Sequence, residues 1–352
     1  MIPLHRLCQG GFVEDSLMYR QIFVIRSYEV GADRTTSVQT IVSLFQEMAL
    51  CHVHLLGVAG DGFGATRNMN RLGLIWVVTR MHLEVERYPC WPEVVEIDTW
   101  VAQAGRNGMR RDWVMRCYQT GEVLARATST WCMMHSKTRR LAKFPDVVRD
   151  EINFTFINDR FAFPPPSRSC SDQNVKIGKL NNNTAQFVKS DLKPSREDLD
   201  MNQHVSNLKY ISWLFESIPV EHFQKHELRS MTLEYRRECH SNDVVESLGS
   251  PSCIKPVCKS SDTKSVQVNN PVGNIVSSSS NMNGNGACSC SAPSSSSSLQ
   301  VAQNFKELKN STNEISAAHE LQSSCDQSFT HLLRLQGVEE EILLGRTVWK
   351  PR

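Results

Sequence analysis

The sequence predicts an α+β fold made twice over, each half a long helix packed on an antiparallel sheet. Residues 37 to 56 carry one apolar stripe at helical spacing, and the chain from Leu72 to Trp131 then reads as strand after strand. The same succession of helix and strands returns in the second half in the same order. The lead-in to the second helix gathers Asp200, Asn202 and His204 within five residues, an acid, an amide and an imidazole at the mouth of a buried helix.

Taken in order, residues 17 to 30 contain Tyr19, Ile22, Val24 and Tyr28 and predict a strand. Val38, Ile41, Val42, Phe45, Met48, Ala49, Val53 and Leu56 then recur every three to four residues, so this stretch is a helix with one buried face, ended by Gly57 and Gly60. The glycine-rich run Gly60-Asp61-Gly62-Phe63-Gly64 follows a helix instead of a strand, the reverse of what a phosphate loop requires, and reads as a flexible loop. The segments L-I-W-V-V, M-H-L-E-V, V-V-E-I-D-T-W-V, W-V-M-R-C-Y and V-L-A-R-A-T-S-T-W are expected strands, punctuated by Pro89, Pro92, Gly105, Gly108 and Gly121. Residues 151–184 lose periodicity, gain Pro164-Pro165-Pro166 and predict a linker.

Met81, Leu83, Glu84, Arg87, Val94, Val95 and Glu96 recur as Met231, Leu233, Glu234, Arg237, Val244, Val245 and Glu246, at an offset of 150. Phe45 recurs as Phe215 at 170 and Trp131 as Trp349 at 218, so an insertion of 68 residues separates two strands of the second copy. It falls in a Ser/Asn/Gly-rich tract too poor in apolar residues to offset its chain entropy. The expected organisation is an extension over 1–16, a first domain over 17–150, the linker, a second domain from 185–248 plus 328–352, and a disordered insertion over 249–327.

Composition narrows the function. With 40% apolar residues among 352 the chain holds two ordinary cores, and a net charge of +2 gives no case for nucleic acid. Twelve cysteines without finger spacing predict reduced thiols, with neither a metal nor a cofactor. No run of 18 apolar residues occurs, so no transmembrane helix is expected, and the N-terminus shows no clear transit peptide. No G-x-S-x-G elbow points to a serine hydrolase.

In the stretch Asp198 to Phe215, a cap needs one oxygen and gives no reason for a nearby imidazole. All three side chains share a side only if residues 200 to 204 are extended or turning, so the lead-in is expected to be irregular.

D-x-N-x-H-V-S-N-x-x-Y-x-x-W followed by M-T-L-E-Y-R-R-E-C, with R-S-Y-E-V-G-A-D-R-T, L-I-W-V-V-T-R-M and N-G-M-R-R-D-W in the first half, resembles the plant acyl-acyl-carrier-protein thioesterases over residues 17 to 248 and 328 to 352. The resemblance implies a tandem hot-dog fold and hydrolysis of the thioester joining a long acyl chain to acyl carrier protein, which ends fatty acid elongation in the plastid stroma. Ser206 stands where the family commonly has Asn.

Carried over from the family, the catalytic set falls on Asp200, Asn202, His204 and Glu238, with Cys239 adjacent. In one scheme Cys239 is the nucleophile, His204 its base and Asn202 the orienter. In the other, Asp200 attacks or positions water, Glu238 activates the water, and Asn202 with His204 polarises the carbonyl. Strand alternation from Met231 puts Cys239 on the apolar face and Glu238 off it, but Pro89 in the first copy stands opposite Cys239 and makes that alternation unreliable. The carboxylate scheme is preferred, because it alone gives Asp200 a role.

Where the second copy has the acid-amide-imidazole set, the first has Asp33-Arg34-Thr35-Thr36-Ser37. Its interior is the expected acyl-chain site, lined by Val38, Ile41, Val42, Phe45 and Met48 and by Trp76, Trp100 and Trp113, all residues that ordinary core packing would equally use. Acyl carrier proteins are acidic, so Arg110, Arg111, Arg139 and Arg140, with Arg106, Lys137 and Lys143, form an expected cationic docking rim, against the plainer reading of a solvated face. A homodimer is the expected assembly. An acyl-CoA thioesterase and a non-catalytic acyl-binding module are the alternatives, separated by assay.

Overall fold

A computed structural model of the chain describes residues 10–13, 16–60, 64–163, 176–200, 203–252 and 326–352. The first half runs β1 (Gly10–Phe12), β2 (Tyr19–Val24), α1 (Val38–Leu55), α2 (Arg67–Leu72), β3 (Leu74–Val85), β4 (Val94–Ala104), β5 (Gly108–Cys117), β6 (Val123–His135), β7 (Leu141–Ala142) and α3 (Asp146–Ile152). The second runs β8 (Phe187–Leu192), α4 (Asn207–Phe215), α5 (Val220–Lys225), β9 (His226–Tyr235), β10 (Val245–Ser252), β11 (Gln327–Leu335) and β12 (Glu341–Pro351).

Helix α1 forms where the apolar stripe predicts it. Ser37 caps it by accepting from the Thr40 N–H, and Gly57, at φ +68°, turns the chain out in the left-handed region. Val38, Ile41, Val42, Phe45 and Met48 are all buried against the sheet.

The strands of both halves join one antiparallel sheet in the order β1-β2-β4-β5-β6-β3-β9-β12-β11-β10-β8. That order reads the same from either end once β1 is set aside, because β3, β4, β5 and β6 correspond to β9, β10, β11 and β12. The halves meet at β3 and β9, where Met81 faces Leu233, Leu83 faces Met231 and His82 faces Thr232. At the offset of 150 His82 and Thr232 are each other's counterparts, so a local two-fold relation passes between them, and His82 Nδ1 lies 2.8 Å from Thr232 Oγ1. The repeat extends to small bonds: the Trp131 indole N–H donates to Ser129 at 2.7 Å, as that of Trp349 does to Thr347 at 2.8 Å. A continuous core runs from α1 through β3 and β9 to α4. This is the tandem hot-dog arrangement.

Three expectations are corrected. The segments L-I-W-V-V and M-H-L-E-V are one strand, β3, broken only by a bulge between Val78 and Arg80 that shifts the alternation by a residue and mimics a boundary in the sequence. Residues 153–163 are a packed strap and not a free linker: Phe156 bridges Val101, Phe163 is buried beside Trp100, and the Trp100 indole donates to the Arg160 carbonyl. Such a strap is aperiodic because its contacts come from the sheet below it. The insertion is narrower than expected, since Ser252 still pairs with Ser328; its remainder, 253–325, lies outside the described residues, as does most of the Gly60–Gly64 run.

Candidate active site

The lead-in to α4 is a tight turn, as the side-chain spacing requires. Leu199 bridges Val205, the Asp200 N–H donates to the His204 carbonyl at 2.7 Å, and the Gln203 N–H donates to the Asp200 carbonyl at 3.0 Å. Gln203 sits at φ +64°, the left-handed conformation that closes the turn. The Asp200 carboxylate accepts the His204 N–H at 3.1 Å, which fixes the acid against the imidazole's own backbone. Ser206 then caps α4. Asn202 lies outside the described residues.

Against this turn runs the segment after β9. The Val205 N–H donates to the Cys239 carbonyl at 2.9 Å, and His204 bridges His240. There Glu238 is half-buried and His240 exposed, while Cys239 is fully buried. Glu238 Oε1 is 3.9 Å from His204 Nε2, and the rings of His204 and His240 are 5.1 Å apart. Glu238 Oε2 accepts from the guanidinium of Arg139, which stands at φ +55° in the β6–β7 hairpin. The side chains of His204 and Glu238 are each 28% exposed, so both reach water.

Burial lowers the His204 pKa, with His240 and Arg139 adding to it and Asp200 opposing. The Cys239 thiol is different. Its side chain lies in the core, the Tyr210 hydroxyl accepts its backbone N–H at 2.8 Å, and burial pushes the thiol up to about 11. A thiol so placed, fully buried in the core, is held in its protonated form. The structure thus brings Asp200, His204 and Glu238 together and leaves the Cys239 side chain out.

The N-terminal domain model of the acyl-ACP thioesterases matches residues 16–152, and the C-terminal domain model matches residues 181–283. A palmitoyl-acyl carrier protein thioesterase, chloroplastic, of Arabidopsis thaliana is 52% identical over 239 residues, covering 68% of this chain and 56% of that protein. An oleoyl-acyl carrier protein thioesterase of the same plant is 49% identical, covering 70% and 66%. The solved 12:0-ACP thioesterase from Umbellularia californica matches with a TM-score of 0.70 and 37% identity, over 96% of this chain and 95% of that one.

The chain belongs to the acyl-ACP thioesterase family.

This thioesterase-family chain spans 56% of the length of the first curated relative it matches. Its first half repeats the site's turn without the site's residues. The Gly31 N–H donates to the Thr35 carbonyl at 2.9 Å, the Arg34 N–H to the Gly31 carbonyl at 3.0 Å and the Thr36 N–H to the Pro89 carbonyl at 2.9 Å, with Arg34 at φ +65°. Thr35 bridges Cys90. Gly31 therefore occupies the place of Asp200, Thr35 that of His204 and Cys90 that of His240. The expected match of Asp33 with Asp200 is corrected by two residues, because turn geometry and the capping serines Ser37 and Ser206 set the register. The same caps align Phe45 with Leu214, both fully buried, instead of with Phe215.

The family member's expected acyl-chain lining divides. Trp113 faces α1, its ring 5.7 Å from that of Phe45 and its indole N–H donating to the Phe45 carbonyl at 2.8 Å. Trp100 lies on the opposite face, because β4 gives Val95 and Ile97 to the α1 side and alternation sends Trp100 the other way, onto Phe163. Trp76 packs on Phe144 in a separate cluster with Met69 and Met133.

The cationic rim is corrected too. Arg111 is 3% exposed, because β5 alternation aligns it with the inward Trp113; it lies 3.0 Å from His52 Nδ1 and donates to Thr99. Arg110 stacks on Phe161 and pairs with Asp112 at 2.9 Å. Arg139 serves Glu238, while Arg106, Arg140, Lys137 and Lys143 remain exposed. His240 is the residue that the sequence reading missed; its spacing of two from Glu238 was the available signal. Among the described residues no helix is long and apolar enough to cross a membrane.

Proposed function

We propose that the chain hydrolyses long-chain acyl-ACP to free fatty acid and ACP through the carboxylate scheme. The observation that carries this reading is the meeting of His204 and Glu238, 3.9 Å apart, beside an Asp200 tied to the same turn, while the neighbouring thiol points into the core. Glu238 takes a proton from water as its oxygen adds to the thioester carbon. His204, with Asn202, polarises the carbonyl and stabilises the oxyanion, and Asp200, tied to the same turn, positions the water. Collapse breaks the C–S bond, and the leaving thiolate takes the proton that Glu238 had gained. Arg139 orients Glu238 without touching the reacting atoms.

The acyl chain occupies the first half, between α1 and β5, against Val42, Phe45, Met48 and Trp113. The domain boundaries that fit this division are 17–150 for the chain-holding half and 185–252 plus 327–352 for the catalytic half, so that β10 and β11 stay whole. Relatives of the chain carry the name chloroplastic, which supports a plastid site of action. A homodimer is the proposed assembly, checked by sedimentation.

Hydrolysis of carrier-bound acyl chains of graded length, set beside the matching CoA thioesters, tests the reading. Faster turnover of the carrier-bound chains is expected. Equal or better turnover of CoA thioesters makes the chain an acyl-CoA thioesterase, and binding without turnover makes it an acyl-binding module.

A further inference from the structure

Three donors at the mouth of α4 have a use that hydrolysis does not require of them together. His204 and His240 are held opposite each other by a backbone bridge, and Glu238, two residues before His240, projects on the same side. One imidazole nitrogen from each histidine and one Glu238 oxygen lie within 4.8 Å of one another. Two imidazoles and a carboxylate are a zinc donor set, with a fourth position left for water. A tetrahedral ion at about 2.1 Å from each donor sets them about 3.4 Å apart, so side-chain rotations close the site while the bridged backbone stays in place. His240 is exposed, and the side chains of His204 and Glu238 are 28% exposed, so an ion reaches all three from solvent.

The surrounding charges pull both ways. Asp200 lies against His204, and Asp243 accepts the His240 backbone N–H at 2.9 Å, both favouring a cation. Arg139 disfavours one, since it already holds Glu238 Oε2. Oε1, on the His204 side, is the oxygen left for the ion. Arg139 thus acts as a competitor that sets how tightly the ion binds.

We propose that His204, Glu238 and His240 form a site for a zinc-class divalent cation, and that Zn2+ bound there shuts off thioester hydrolysis. The shut-off rests on the reading under Proposed function; the site itself does not. An ion on the His204 nitrogen and the Glu238 carboxylate removes the group that polarises the carbonyl and the base that takes the proton from water.

The test uses the full chain after treatment with a chelator. Calorimetry with Zn2+ and visible absorption of added Co2+ read binding, and hydrolysis of acyl-ACP at buffered free Zn2+, each variant scaled to its own metal-free rate, reads the shut-off. Wild type is expected to show a tetrahedral Co2+ band and inhibition. His240→Ala should weaken both by about tenfold or more, and Arg139→Ala should tighten them by up to about tenfold. His240→Gln, which keeps a polar side chain, replaces His240→Ala if circular dichroism shows that variant misfolded. Equal binding by wild type and the His240 variants overturns the site, and a rate that rises with Zn2+ or ignores it overturns the shut-off. A chain that binds as expected yet hydrolyses none of the thioesters overturns the functional reading and the shut-off, and leaves the site standing.

Discussion

Arg139 and Glu238 tie the two halves together at the candidate site, the guanidinium of a first-half hairpin donating to the carboxylate of a second-half loop. Losing Arg139 frees Glu238 to rotate away from His204. Arg139→Ala should lower kcat by about ten- to a hundredfold with a smaller change in KM. Arg139→Lys should recover part of the loss, and steady-state kinetics on acyl-ACP separate the two parameters.

The carboxylate scheme and the thiol scheme part at Cys239. Cys239→Ala should keep activity within a few-fold, at a stability cost of about 1 kcal/mol for the small core gap. Asp200→Ala, His204→Ala and Glu238→Gln should each lose about a hundredfold or more. A folded but inactive Cys239→Ala protein reverses the choice.

Filling the first-half interior should shorten the preferred acyl chain. Val42 and Met48 are 6% and 0% exposed on the buried face of α1, so Val42→Trp or Met48→Trp takes up space there. Gas chromatography of the released fatty acids reads the shift, with circular dichroism to confirm folding. An unchanged profile from folded variants counts against an acyl chain in this half.

Acid should destabilise the protein well before its carboxylates titrate. Burial lowers His52 and His331 to about 3 from an ordinary value of 6.5, with Arg111 adding to the shift at His52. Below pH 6.5 the unfolded chain takes up protons that the folded chain refuses, so stability is intact above that pH and falls as pH drops toward 3. Each histidine contributes a slope of up to about 1.4 kcal/mol per pH unit. Urea midpoints between pH 7.5 and 5 measure it, and His331→Gln should flatten the curve.

Arg106, Arg140, Lys137 and Lys143 are the exposed remainder of the expected cationic rim. If an acidic carrier docks there, added salt should raise KM for acyl-ACP several-fold and leave kcat nearly unchanged. Charge reversal at Arg140 should reduce that salt dependence.

Much of this is legible in the sequence. The stripe from Val38 to Met48 is local information, and so is the repeat that pairs Met81 with Met231. The placement of Cys239 inside and Glu238 outside needed the contacts themselves, because the N–H groups of Arg236 and Arg237 both donate to the Ile342 carbonyl and interrupt the alternation of β9. Other features depend on contacts between distant segments and leave little local trace. The bulge at Val78 shows only as a slip in alternation, and the strap at Phe163 has no period because the sheet beneath shapes it. Aligning Gly31 with Asp200 needed the hydrogen bonds of both turns. Arg111 was misread for another reason: its charge suggested surface, and the neighbouring Trp113 gave the contrary signal.

The seam at His82 and Thr232 bears on how the halves came to differ. Where two separate identical polypeptides meet about a symmetry axis, every substitution appears on both sides at once. A single polypeptide crossing that axis is free of the constraint, so glycine and threonine stand at positions 31 and 35 while aspartate and histidine stand at 200 and 204. One turn is thereby released from its polar side chains while its twin keeps the acid and the imidazole.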